Sequence, residues 1–260
     1  MTEYLLSQQE APDLERTRLR LLAEFHDPLS EVQLDAIGVG EGWRCLDVGA
    51  GAGAVTRMLA ARVGRTGSVL AIDLDTSLLE ELADERVEVR RHDLLADPLP
   101  AGGFDLVHAR LLLIHLPSRL AALRRLADAA RPGGWVAALD PDFTTVSVSP
   151  TTPSWERTWS AWYDAVIAGG WDPRYGARLA GGMSAIGLTE VHAEYVGGSE
   201  RGGSVRARLL SLTLERMRHR LIAFGAESEE IDAARRALED PSSELSGPTT
   251  CVARGRRPGA

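Results

Sequence analysis

Residues 46–53 read Leu46-Asp47-Val48-Gly49-Ala50-Gly51-Ala52-Gly53. An apolar run from Trp43 feeds this stretch, and a helix-forming segment, 54–62, leaves it. The reading is strand, glycine turn, helix. Glycine turns the chain sharply and lets a ligand approach the backbone. The helix behind it opens with free N–H groups. The same rhythm continues downstream. Residues 68–72 predict a second strand, 76–83 a helix, 87–91 a third strand and 104–109 a fourth. Residues 118–130 predict a helix stopped at Arg131-Pro132-Gly133-Gly134, and 135–139 a fifth strand. Strands alternating with helices predict an α/β fold, a doubly wound parallel sheet covered on both faces.

Outside this region the pattern changes. Residues 13–25 place Leu14, Leu21, Leu22 and Phe25 near helical spacing. His26-Asp27-Pro28 is expected to end that helix, because the residue before proline resists the helical region. Ser30 then reads as the N-cap of a helix through Ile37, closed by Gly38. Past Leu139, residues 141–153 read as a polar loop. Residues 154–167 read as a helix with Trp155, Trp159, Trp162 and Val166 along one stripe. A Gly-rich stretch, 169–187, precedes a strand at 188–196 and a turn at 197–203. Two helices, 205–224 and 229–239, lead to a last strand at 249–253. The first carries Leu210, Leu214, Met217, Leu221 and Phe224 as a core-facing seam.

Composition narrows the chemistry. The 260 residues are 44% hydrophobic, enough for a sizeable core, and carry a net charge of −8, which argues against a nucleic-acid partner. Lysine is absent, so all 29 basic residues are arginine. A phosphate-loop lysine, a pyridoxal Schiff base and a lysine nucleophile are thereby excluded. Cys45 and Cys251 match no zinc spacing and read as packing residues, and the six histidines show no metal-ligand spacing. His108 and His192 read as packing residues in strands. No apolar run approaches the roughly 20 residues of a membrane span, and the first residues lack an apolar signal core. The expectation is a cytoplasmic protein with no membrane contact.

Three acids stand at successive strand ends. Asp47 precedes the first glycine by two residues, where a carboxylate suits an ammonium or sulfonium better than a pyrophosphate. Asp73 ends the second strand, 20 residues after Gly53, where a ribose diol is usually hydrogen-bonded. Asp93, just beyond the third strand, can accept from an adenine amino group. Each alone reads equally as a cap or a solvated loop acid. In order along one sheet edge they outline a nucleoside-shaped site. Gly49, Gly51 and Ala54 also satisfy a dinucleotide G-x-G-x-x-A reading, which Asp47 disfavours.

LDVGAGAG, AIDLD, RHDL, FDLVHAR with LLLIHLP, and LRRLADAARPGGWVAALD together resemble the S-adenosylmethionine-dependent methyltransferases of the Rossmann-like class. The likeness is closest to actinobacterial small-molecule enzymes related to the ubiquinone/menaquinone-biosynthesis type. It extends over nearly the whole chain and specifies cofactor and fold better than substrate.

The resemblance implies a seven-stranded sheet, its last strand antiparallel, in one domain over 1–260. An N-terminal helical lid occupies 1–40 and a cofactor core 41–140. Cap insertions occupy 141–187 and 197–247, and the final strand 248–254. It implies that Asp47, Gly49, Ala50, Gly51 and Gly53 line the methionine side of the cofactor. Asp73 with Leu74 takes the ribose, and Asp93 with Leu94 the adenine. Ala109 and Arg110 lie beside the methionine moiety, and Tyr4 closes with the lid.

Relatives often carry Glu before the His of Ile114-His115-Leu116-Pro117, and this chain does not. His115, then His26, are the candidate general bases. Trp155, Trp159, Tyr175 and Arg178 are the candidate acceptor-binding residues, and no metal is expected. The implied activity is methyl transfer to an O, N or C nucleophile of a small organic acceptor in natural-product metabolism, by a monomer or homodimer. The rival readings are a regulatory module that only holds the cofactor, and an enzyme that uses the sulfonium electrostatically in a rearrangement.

Overall fold

A computed structural model of the chain describes residues 12–259. Tyr4 lies outside the described residues. In chain order the first elements are α1 (Pro12–Ile37), β1 (Arg44–Val48), α2 (Ala54–Val63), β2 (Ser68–Asp73), β3 (Val87–Arg91) and β4 (Phe104–Arg110). Next come α3 (Arg119–Ala129), β5 (Ala130–Asp142), β6 (Ser147–Ser149), α4 (Pro153–Ala168), α5 (Leu179–Ala185) and β7 (Thr189–Val196). The last are β8 (Ser199–Arg201), α6 (Val205–Arg216), α7 (Arg218–Ala223), α8 (Ser228–Glu239), β9 (Glu244–Ser246) and β10 (Thr249–Arg256). The described chain divides into two compact units.

The larger unit comprises 27–141, 174–196 and 250–259. Its seven-stranded sheet has the order β3-β2-β1-β4-β5-β10-β7. The pairs β1–β2, β2–β3, β1–β4 and β4–β5 are parallel, and β10 runs antiparallel to β7. This is the expected doubly wound sheet with an antiparallel last strand. One face packs Cys45, Val69, Leu106 and Ala137 against Val55, Leu59 and Val63 of α2 and against Leu34 and Ile37 of α1. The alternate residues Leu46, Val107, Val136 and Ala138 are buried too, so the other face is also covered. The order reverses between β1 and β4, and ligands of such sheets bind at that switch point, beyond the carboxyl ends of the strands.

The smaller unit comprises 12–26, 142–173 and 197–249. Its core joins Trp155, Trp162 and Val166 of α4 to Leu210, Leu214, Met217, Leu221, Ile231 and Leu238 of the later helices. Three short strands form a second sheet, β6-β9-β8. The Thr152 side chain caps α4 by accepting from Trp155 N, with Pro153 at the first turn.

Several expectations are corrected. The helix expected to stop at Asp27 runs on through Pro28 as one 26-residue α1. Proline removes one helical hydrogen bond at a cost of about 3 kcal/mol. The residues beyond it are anchored to the sheet: Arg110 donates to Asp27 and Ser30, and Gln33 donates to Ala253 O. Ser30 is therefore an interior helix residue, not a cap.

The helix expected over 76–83 is only a 3-10 turn, Glu80–Leu82. Asp73, Asp75 and Asp84 accept from the backbone N–H groups of Asp75, Ser77, Arg86 and Val87, a local alternative to the helical ladder. The fifth strand is longer than expected, because Gly133 and Gly134 exchange backbone hydrogen bonds with Arg257. The 141–153 loop and the 197–203 turn contain β6 and β8, and 169–187 contains α5. The 205–224 helix breaks at Met217, and Phe224, expected in the seam, is exposed. His192 is exposed beside Glu194 instead of packed.

Candidate functional site

In the larger unit the parallel strands bring their carboxyl ends to one edge, and β1 there runs into the glycine turn. Gly49, Gly51 and Gly53 all hold positive φ, at 71°, 57° and 75°. Their missing side chains face different surroundings. A Cβ on Gly49 would meet Leu112 at 3.0 Å, and one on Gly53 would collide with Leu82 and meet Leu79 at 3.0 Å. One on Gly51 would meet nothing within 4 Å. Gly53 is thus a packing requirement, whereas Gly51 borders open space. Ala50 N donates to Ile72 O and Ala50 O accepts from Gly53 N, so the turn is tied to β2 and closed on itself.

The three strand-end acids do different work. Asp47 is buried: one oxygen accepts from Thr56 Oγ1 at 2.7 Å, and the other lies 3.3 Å from His108 Nδ1. Asp47 and His108 are cross-strand partners on β1 and β4. With Nδ1 facing a carboxylate, His108 carries its proton there. Asp47 therefore locks strand, helix and turn together from below. Asp73 at the tip of β2 accepts from Gly51 N at 2.8 Å and Asp75 N at 3.1 Å. Burial pushes its carboxyl above the usual range, and the N–H groups of Asp75, Gly51 and Leu74 oppose that rise. Leu74 beside it is 55% exposed, an uncovered apolar surface. Asp93 accepts from Leu95 N and, through its own N–H, donates to Asp97, which shapes the loop after β3 with Leu94 buried beneath.

Beyond β4 the chain makes a tight turn. Leu111 holds φ 56°, rare for leucine, and donates to Leu139 O at 2.7 Å. A 3-10 turn, Leu113–His115, follows. Asp140, at the end of β5, accepts from Ile114 N at 3.3 Å and is fully buried. Burial raises its carboxyl to about 8, against the pull of the Ile114 and Leu113 N–H groups and of Arg119.

Residues 45–134 match the family model described as a methyltransferase domain. Over this stretch the chain is similar to a methyltransferase domain. Over 166 residues the chain is 31% identical to a methyltransferase of Strobilurus tenacellus, covering 63% of this chain and 60% of that protein. Over 131 residues it is 35% identical to an aklanonic acid methyltransferase of Streptomyces, covering 48% of this chain and 60% of that protein. The chain thus spans about 60% of the length of these curated relatives. Among solved structures it resembles a Haemonchus contortus phosphoethanolamine N-methyltransferase. The TM-score is 0.58 at 16% identity, over 89% of this chain and 52% of that one. That likeness is one of fold.

Within the matched residues, Ala109 is buried in β4, and Arg110 spends its guanidinium on Asp27 and Ser30 of α1. His115 is half-buried at the close of its turn. Outside the matched residues but in the same unit, Tyr175 is buried with the Arg119 guanidinium 6.0 Å from its ring centre, and Arg178 is exposed.

The remaining predicted residues belong to the smaller unit. His26 is buried, its Nδ1 2.9 Å from Leu22 O and its ring edge-on to Phe25. Trp155, Trp159 and Trp162 stack in parallel, with centroids 5.4 and 4.5 Å apart, so both faces of Trp159 are covered by its neighbours. Thr56 and Asp140 escaped the sequence reading, and His108 was read there only as a packing residue. Asp140 alone carried a signal there: an apolar run ending in Asp, the same pattern that marks Asp47 and Asp73.

No helix among the described residues is long and apolar enough to cross a membrane.

Proposed function

We propose that the chain transfers a methyl group from S-adenosylmethionine to a small organic acceptor in specialised metabolism. One observation carries this reading: Gly51, Asp73 and Asp93 share one sheet edge, with open space at Gly51 and an uncovered Leu74 beside Asp73. A carboxylate for a diol, an apolar side chain for a base and a bare turn for close approach fit a nucleoside with an amino-acid tail. The names of the relatives support the same chemistry: an aklanonic acid methyltransferase, and a phosphoethanolamine methyltransferase solved with S-adenosylhomocysteine.

S-adenosylmethionine supplies a methyl group on a positively charged sulfur, which a nucleophile can take directly. The chain's contribution is then largely placement. Holding two reactants aligned can provide about 7–11 kcal/mol of a barrier. Asp73 and Leu74 would hold the ribose, Asp93 and Leu94 the base, and the Gly49–Gly51 turn the methionine part. Asp47 acts from below by fixing the turn through Thr56 and His108. His115, on the turn after β4, is the residue proposed to take the acceptor's proton when the acceptor must lose one. Tyr175 and Arg178 are proposed on the acceptor side.

The test is product analysis. The purified chain is incubated with S-adenosylmethionine carrying a labelled methyl group and a panel of polyketide, phenolic and amine acceptors. Mass spectrometry is expected to find S-adenosylhomocysteine together with a labelled acceptor. Tight cofactor binding with no S-adenosylhomocysteine across the panel would instead favour a protein that only holds the cofactor.

A further inference from the structure

Leu139 and Asp140, the neighbours near the end of β5, grip the turn after β4 at two points. The Leu139 carbonyl takes the Leu111 N–H at 2.7 Å, and the Asp140 carboxyl takes the Ile114 N–H at 3.3 Å. Leu111 between β4 and the turn sits at φ 56°. A leucine remains in that strained region only when surrounding contacts hold it there. The second carboxyl oxygen of Asp140 is buried and has no hydrogen-bond partner among the described residues. An ionised carboxyl would leave that oxygen charged and unsolvated, which burial strongly disfavours. A neutral one leaves only a hydroxyl unpaired, while its other oxygen still accepts from the turn.

We propose that Asp140 is a positioning residue that, as an uncharged carboxylic acid, clasps the Leu111–His115 turn and so fixes where His115 stands. Its purpose rests on the methyl-transfer reading above, in which His115 faces the acceptor. Ionising the carboxyl draws water to it or opens the turn, and either outcome releases His115. Arg119 of α3 favours the ionised form, and the Cys251 thiol of β10 lies near enough that a charge on this carboxyl pushes the thiol up. His115 stands on the turn itself, and Tyr175 on the 3-10 turn packed against it. Burial outweighs Arg119 and the two backbone N–H groups and keeps the proton on Asp140 up to a pH of about 8.

The test is amide hydrogen exchange, expressed as protection relative to the unstructured chain at each pH. It is run on the full chain and on Asp140→Asn and Asp140→Ala. In the parent, protection at Leu113 and Ile114 is expected to fall at least tenfold between pH 7 and 9.5, with protection in β1 and β2 unchanged. Asp140→Asn keeps an accepting oxygen and cannot ionise, so its protection there stays flat across that range. Asp140→Ala is low at every pH; if it does not fold, the comparison of parent with Asp140→Asn decides alone. The His115 imidazole resonance, assigned by its loss in His115→Gln, is expected to shift with the same alkaline midpoint in the parent and not in Asp140→Asn. Flat protection in the parent, or a parallel fall in Asp140→Asn, overturns the proposal. S-adenosylhomocysteine titration of the same samples is read separately. A parent that binds none refutes the methyl-transfer reading, whereas the exchange pattern judges the clasp.

Discussion

Replacing Gly51 and Gly53 by alanine, one at a time, separates a turn residue that borders a ligand from one that only packs. Both hold positive φ, so each alanine carries a backbone cost of about 1–2 kcal/mol. At Gly51 nothing more is added, because a Cβ there meets nothing within 4 Å. At Gly53 the new methyl collides with Leu82 and presses on Leu79 at 3.0 Å. Overpacking of this kind adds about 1–3 kcal/mol. Gly53→Ala is therefore expected to lose about 2–5 kcal/mol and Gly51→Ala about 1–2 kcal/mol.

Affinity for S-adenosylhomocysteine is expected to rank the other way. The Gly51→Ala methyl is expected to fill the space proposed for the ligand and to weaken binding at least tenfold, about 1.4 kcal/mol. Urea unfolding gives the stabilities, and calorimetric titration of the folded variants gives the affinities. If Gly51→Ala binds as the parent does, or is destabilised as much as Gly53→Ala, the open space at Gly51 is not the ligand's.

Three further outcomes are expected. Asp140 keeps its proton to about pH 8 in the folded chain but loses it near pH 4 when unfolded, so this group's stabilisation is full below pH 4 and declines through pH 8. The slope is about 1.4 kcal/mol per pH unit. The stability gap between Asp140→Asn and the parent should accordingly widen by about 3 kcal/mol from pH 5 to 7 in urea titrations; identical pH slopes count against a buried neutral acid. His115→Gln is expected to slow single-turnover transfer to a proton-bearing acceptor by about 10²–10⁴ while leaving cofactor affinity intact, and a loss under tenfold removes His115 from the role of base. Trp162, buried in the smaller unit and stacked on Trp159, should cost about 3–5 kcal/mol on replacement by alanine, and a loss below 1 kcal/mol in denaturant unfolding contradicts its placement.

The centre of the sheet was legible because β1 and β2 are short apolar runs closed by an acid or a glycine turn, and β3 because Val87 and Val89 alternate with charged residues. The glycine turn was legible for the same reason: no other residue reads so directly as a positive φ. Three-residue strands such as β6, β8 and β9 leave no periodic trace, and the second sheet went unseen. Pro28 misled because a local rule met a tertiary anchor, Arg110 on Asp27 and Ser30. The 76–83 segment misled because Asp73, Asp75 and Asp84 offer its backbone local partners that a helical pattern does not reveal. In the site, the acids at the ends of β1 and β2 announced themselves by position. The division of labour between Asp47, which works from beneath the turn, and Asp73, which lies at its side, required the partners Thr56, His108 and Gly51 to be seen in place.

Calorimetric titration of S-adenosylhomocysteine into the parent chain and into Asp73→Ala tests the central claim most directly. Asp73 holds the Gly51 N–H and is the carboxylate proposed for the ribose hydroxyls. Loss of a charged acceptor costs about 1.5–3 kcal/mol. The parent is expected to bind one equivalent, and a folded Asp73→Ala to bind at least tenfold more weakly. A folded parent that takes up no S-adenosylhomocysteine, or an Asp73→Ala of undiminished affinity, contradicts the assignment of this sheet edge as the cofactor site.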